Sequence, residues 1–168
     1  RIGHIRLMDN LFELGYTAKG FAPVSVDAGE VALEYGVSRN MQDEWAVKSQ
    51  ERYAKAFAEG KFKIGEEIIP VVVPQKKGDP IVLDYDEPVR PDTTAEGLAK
   101  LKPAFKKDGG TVTAGNAPGV NDGASALVVT SAEKAAELGI EPLGRVVASA
   151  TSGIEPKMIM MAPVQGIL

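Results

Sequence analysis

The chain has 168 residues, with 19 Lys+Arg against 23 Asp+Glu and a net charge of −4, and 44% of it is hydrophobic. That length fits one domain or two incomplete ones and can bury a core, and the composition argues against disorder. The mild acidity removes the electrostatic footprint of a nucleic-acid binder.

There is no Cys, which excludes disulfides, thiolate zinc sites and a cysteine nucleophile within the chain. The single His, His4, rules out a His-rich metal site and would confine a Ser-His-Asp triad to the start of the chain. No apolar run approaches the ~20 residues needed to span a bilayer. Arg1 to Asn10 is mixed and charged, unlike a signal peptide, so the cytoplasm is the expected compartment. Without an initiator Met, the chain is expected to be cut from something longer.

The first element is predicted helical, since Ile5, Leu7, Met8, Leu11, Phe12 and Leu14 recur at near-helical spacing and Gly15 stops the run. Tyr16 to Val26 reads as a loop. Asp27 with Glu30 is a capping-box pattern that opens a short helix through Val31, Ala32 and Tyr35, closed by Gly36. Ser38 opens a longer helix that reaches Glu59 and is closed by Gly60. Its stripe of Trp45, Ser49, Tyr53 and Phe57 is expected to pack in the core.

Glu66 to Val73 turns to strand character, Lys76-Lys77-Gly78-Asp79 signals a turn, and Ile81 to Tyr85 is a second strand, so the two should form a hairpin. Thr93 with Glu96 suggests another capping box, for a helix carrying Leu98 and Leu101 and ended by Pro103. Composition changes near Lys106–Gly110, and a domain boundary is expected at about residues 105–112. Beyond it, Thr111–Gly115, Ala126–Thr130 and Arg145–Ser152 read as strands, and Ser131–Leu138 as a helix with Gly139 just past its end. That order suggests a mixed α/β layer buried on both faces.

The most informative run is Thr111 to Ala126, TVTAGNAPGVNDGASA. Gly115, Gly119 and Gly123 permit close backbone approach. Asn116, Asn121 and Asp122 are short polar groups in an apolar neighbourhood, to be hydrogen-bonded locally or to something bound. Pro118 stiffens the turn between them. On the residues alone this is either a tight structural turn or a ligand loop. Neither GxGxxG after a strand nor GxxxxGK[ST] is present.

Thr111 to Asp122 closely resembles the "TVTAGNASGIND" segment of thiolases, the acetyl-CoA acetyltransferases, in its biosynthetic form. The likeness extends through Arg90–Thr94 and Leu98–Phe105. It includes Ser38-Arg39 with Gln42-Asp43-Glu44 against "SR..QD.FA..SQ", Gly60-Lys61-Phe62 with Glu67–Val71 against "GRF..EIVPV", and Gly153–Pro156 against "GVDP". The resemblance implies a partial thiolase-like α/β fold, with residues 1–108 as the loop domain that covers coenzyme A and 109–168 as part of the N-terminal core. Arg1–Ile5 would be the tail of the family's tetramerisation loop, and His4 an ordinary loop position.

The family's catalytic Cys, Asn, His and second Cys fall outside the matched stretch, so the resemblance implies coenzyme A binding without catalytic residues. Arg90 would lie beside the nucleotide, and Phe105 would pack on the pantetheine arm. Ala114 and Gly115 would line that arm through their backbone, with Leu101 and Pro118 beside it. Three departures each remove a polar contact near coenzyme A. Pro23-Val24 stands for the family's His-Met, Gly97 for a Ser, and Pro118 for the Ser of "NASG". A coenzyme A thioester would be substrate, with no separate cofactor and no metal. The expected partners are acyl-CoA, further copies of the chain or the remaining thiolase segments, and neither nucleic acid nor membrane. The alternative is a non-catalytic acyl-CoA-binding or scaffold subunit related to thiolases.

Overall fold

A computed structural model describes residues 23–168, so the helix expected over Ile5–Leu14 lies outside the described residues. The chain divides into two compact units, one ending at Gly119 and one spanning Val120–Leu168. Thr111–Gly119 pack with the first.

Helix α1 (Val24–Glu34) starts four residues before the position expected from an Asp27 cap. Pro23 holds the N-cap position with φ −52° and no side-chain cap. The fixed φ of proline and the lack of a breaker in Val24–Val26 let the helix begin early. Asp27 therefore lies buried in the first turn, where the amide end of the helix favours a carboxylate, rather than capping it. Gly29 faces Thr111: a Cβ there would stand 3.0 Å from Thr111 Oγ1.

Helix α2 (Arg39–Ala58) is capped as expected, with Ser38 Oγ accepting from Met41 N–H at 3.3 Å. Both helices end as their glycines foretell. Gly36 and Gly60 take φ of +75° and +65°. The following N–H groups, of Val37 and Lys61, donate back to Ala32 and Ala56 carbonyls at 2.8 and 2.9 Å. These are Schellman closures.

The aromatic stripe of α2 does not form a core seam. Trp45 is 65% exposed, with the Arg52 guanidinium 5.5 Å from its ring centroid. Tyr53 and Phe57 instead gather with Phe62, from the turn after the helix, at centroid separations of 5.1 to 6.5 Å. The i, i+4 spacing places residues on one face, but only the C-terminal half of that face has something to pack on.

Strands β1 (Val71–Val73) and β2 (Ile81–Leu83) form the expected antiparallel hairpin, with Val72 opposite Val82 and Gly78 at φ +86° in the connection. Both strands are shorter than expected. Pro70 and Pro74 bracket β1 and Pro80 precedes β2, and a residue without N–H cannot continue the ladder. Residues 63–68 fold into a local turn around Gly65, where Lys63 O accepts from Glu67 and Ile68 N–H.

Helix α3 (Ala95–Ala99) is capped by Thr94, not Thr93: Thr94 Oγ1 accepts from Gly97 N–H at 3.1 Å. Thr93 Oγ1 instead donates to Arg90 O at 2.7 Å. The helix stops ahead of Lys102, which Pro103 biases away from helical ψ. Leu98 on α3 and Val31 on α1 are the buried apolar side chains of this unit among the described residues.

In the second unit, α4 (Ala132–Glu137) is capped by Ser131 and closed by Gly139 in a third Schellman motif, as expected. The strands expected at Ala126–Thr130 and Arg145–Ser152 do not form. Neither stretch has a ladder partner among the described residues, and Leu127 and Val128 are 87% and 97% exposed. Their apolar, β-branched sequence suits a strand, but a strand exists only through a neighbour. A 3₁₀ turn (Pro156–Met161) and α5 (Ala162–Ile167), which sequence reading missed, close the unit. Ser152 Oγ donates to Ala162 O at 2.7 Å there. No helix among the described residues is long and apolar enough to cross a membrane.

Candidate functional site

The segment Thr111–Ala117, expected to begin as a strand, is a tight turn. Thr113, fully buried, accepts at its carbonyl from Asn116 and Ala117 N–H at 3.3 and 3.1 Å. Its Oγ1 accepts from Gly115 and Asn116 N–H at 3.2 and 3.3 Å. A Thr that satisfies amides two and three residues on offers the backbone an alternative to a ladder.

Asn116 locks this turn into the unit. Its Oδ1 accepts from Thr113 N–H at 2.8 Å. Its Nδ2 donates to Thr111 O at 3.0 Å and to Asp43 Oδ1 at 2.9 Å. Asp43 is 4% exposed, and its Oδ2 accepts from Arg39 Nε at 2.8 Å. Arg39 Nη2 in turn donates to Leu98 O and Leu101 O at 2.7 and 3.2 Å, in the last turn of α3 and just past its end. Sequence reading gave Arg39 and Asp43 no structural role. Their i, i+4 spacing on a helix signals the ion pair. Nothing local signals that it is buried against residues 59 to 73 positions away.

This network brings together three of the sequence-predicted residues. Gly115 abuts Leu98 and Leu101 so closely that a Cβ would collide with Leu98 Cδ2 and stand 2.6 Å from Leu101 Cδ1. Ala114, beside it, is exposed, and Leu101 is half-exposed. Leu101 and the Ala114–Gly115 backbone thus meet in one partly exposed surface contact.

Phe105 stands apart, partly exposed, on a stretch joined to the turn segment by the Ala104 N–H to Val112 O bond at 2.9 Å. It borders a small cavity against α1, which Lys106 and Glu30 bridge with an ion pair at 2.7 Å. Arg90 is exposed. Its backbone N–H donates to Gln50 Oε1 of α2 at 2.9 Å, and its Nη1 donates to Glu87 O and Val89 O. Pro118 sits exposed at the end of the turn. Of the three short polar residues noted in the sequence, Asn116 is bound locally, while Asn121 and Asp122 are exposed in the second unit.

A wider depression of about 290 Å³ lies between α2 and α3, but Asp43, Glu44 and Glu96 line it. That charge repels a phosphate-bearing ligand, so the surface around Leu101 and Gly115 is the better candidate.

The family model described as thiolase, N-terminal domain, matches residues 16–133. An acetyl-CoA acetyltransferase of Chromobacterium violaceum is 47% identical over 165 residues, covering 98% of this chain and 41% of that protein. One from Cupriavidus necator is 46% identical with the same coverage. Among solved structures, human mitochondrial 3-ketoacyl-CoA thiolase aligns with a TM-score of 0.81 and 38% identity, over 98% of this chain and 40% of that one. The Bacillus anthracis acetyl-CoA acetyltransferase aligns with a TM-score of 0.79 and 37% identity, over 99% and 42%. The chain thus spans about two fifths of the length of the curated relatives it matches.

Proposed function

Because this chain belongs to the thiolase family, with a partial thiolase-like α/β fold, we propose that its first unit supplies part of a coenzyme A site in an acyl-CoA acyltransferase. The observation that carries this reading is the contact of Gly115 with Leu98 and Leu101; the proposed trough runs over this contact, with Leu101 as one wall and the Ala114–Gly115 backbone as the other. Such a trough, apolar on one side and bare backbone on the other, suits a pantetheine arm. Phe105 adds an aromatic face, Pro118 bounds the turn, and Arg90 brings positive charge for the phosphates.

The parent reaction is thiolysis or Claisen condensation of acyl-CoA through an acyl-cysteine. In it the coenzyme A thioester is the substrate and no separate cofactor is needed. The 168-residue polypeptide has no cysteine and so cannot form that intermediate itself. Its contribution is binding, as part of a cytoplasmic assembly with copies of itself or with the remaining thiolase segments. Assayed alone with acetoacetyl-CoA and free CoA, it should give only the uncatalysed rate.

Titration of CoA into the protein, followed by NMR, tests the site. Binding in the range of ~0.1–1 mM, or about −5 kcal/mol, is expected. Shifts should concentrate at Phe105 and Gly115, added salt should weaken binding, and Arg90→Ala should bind several-fold more weakly. An unperturbed Phe105 and Gly115, or full-strength binding by Arg90→Ala, would overturn the reading.

A further inference from the structure

We infer that the Arg39–Asp43 ion pair is a positioning element that fixes both walls of the trough at once. The ligand half of this inference rests on the coenzyme A reading above.

The pair reaches each wall by a different arm. Arg39 Nη2 takes the carbonyls of Leu98 and Leu101, which sets the α3 side. Asp43 Oδ1 takes Asn116 Nδ2, which sets the turn side. The pair acts on the trough through Asn116 on the turn side and through Leu98 and Leu101 on the α3 side.

The polarity of the contacts allows one arrangement. An ionised carboxylate only accepts hydrogen bonds. Asn116 must therefore turn its NH₂ toward Asp43, which leaves its oxygen for Thr113 N–H. The flipped amide would set oxygen against the Asp43 carboxylate and the Thr111 carbonyl, and NH₂ against the Thr113 N–H. All three contacts would be repulsive. The buried charge of Asp43, 73 residues away in sequence, and the backbone of Thr111 and Thr113 thereby set the same orientation of the amide.

Asp43→Asn keeps the shape and alters only this polarity. Its oxygen can serve Arg39, but its NH₂ then faces the NH₂ of Asn116. Adding Asn116→Asp restores a donor–acceptor match between the two positions and the acceptor for Thr113 N–H, and keeps the net charge, but gives up the bond to Thr111 O and sets a carboxylate oxygen against that carbonyl. A role in packing alone would be indifferent to Asp43→Asn and would gain nothing from the second change.

The experiment is amide hydrogen exchange combined with CoA titration, on wild type, Asp43→Asn and Asp43→Asn/Asn116→Asp. In wild type, both Nδ2 protons of Asn116 should exchange at least about tenfold more slowly than a free side-chain amide. In Asp43→Asn, exchange at Thr113 and Gly115 should quicken about fivefold or more, and CoA should bind at least about threefold more weakly. The double variant should recover the protection of Thr113, whose acceptor it restores, but not the bond to Thr111 O. Free-rate exchange of the Asn116 amide in wild type, unchanged Thr113 and Gly115 in Asp43→Asn, unaltered CoA affinity in Asp43→Asn, or a double variant no better than the single one at Thr113 would each overturn the inference. If Asp43→Asn does not fold, the wild-type exchange of Asn116 decides alone. If CoA does not bind wild type, the coenzyme A reading falls, and the exchange data still decide whether the ion pair sets the trough walls.

Discussion

Replacing Gly115 by Ala should destabilise the first unit measurably, because the added methyl has nowhere to go. A Cβ at this position would overlap Leu98 Cδ2 and stand 2.6 Å from Leu101 Cδ1, where an ordinary contact begins at 3.4 Å. Leu101 is half-exposed and can swing outward by the missing ~0.8 Å at little cost. Leu98, 6% exposed, cannot leave without opening the space it fills. Overpacking of this kind costs about 1–3 kcal/mol. Gly115 does not have a positive φ, so Ala is compatible with the backbone, and its stiffer unfolded chain returns about 0.4–1 kcal/mol. The net expectation is a loss of about 1–2 kcal/mol. With a urea m-value near 1.5 kcal/mol/M, the midpoint should fall by about 1 M. Gly123→Ala is the control, since nothing lies within 4 Å of its would-be Cβ, and it should change stability by less than about 0.5 kcal/mol. A Gly115→Ala midpoint equal to or above wild type would refute the packing argument for the trough wall.

Other expectations follow from single side chains. Thr111 Oγ1 is buried without a hydrogen-bond partner, so Thr111→Val should be neutral or stabilising by up to about 1 kcal/mol in the same urea titration. A clear loss would show that the hydroxyl is used. Ser38→Ala removes the cap of α2 and should cost about 1 kcal/mol, seen as a lower thermal midpoint by circular dichroism. Glu133 has its pKa lowered from 4.5, first by its own backbone N–H and then by Ser131, at the start of α4. A lowered pKa means its contribution is present above the unfolded value and is lost as pH falls through the folded one. Residues 132–137 should therefore lose helical carbon shifts at acid pH in wild type, and less so in Glu133→Gln.

Much of the fold is legible wherever the deciding interaction is short in sequence. Gly36, Gly60 and Gly139 announce their helix ends because a Schellman closure needs only a few residues and a positive φ. Ser38 and Ser131 announce their starts for the same reason. The reading fails where a partner is distant. Trp45 shares a helical face with Tyr53, but spacing does not say where that face loses its neighbour. Ala126–Thr130 has a strand's composition without a second strand to make it one. In the candidate site, the turn and its glycine could be seen in the sequence. Asp43 could not, because its significance lies in Asn116 and in burial, and neither is local.

The prolines around the hairpin have a consequence for solubility. Val71, Val72, Ile81 and Val82 form an apolar ribbon open to solvent, the kind of surface on which strands of other molecules could nucleate. Pro70, Pro74 and Pro80 cut each strand to three residues and supply no N–H at the ends where a docking strand would extend the ladder. A template that short gives an incoming strand too few hydrogen bonds to offset the entropy of ordering it. The residues that shorten the sheet thus also act as gatekeepers against cross-β assembly. Replacing both Pro70 and Pro74 would lengthen the edge and invite aggregation without altering the trough.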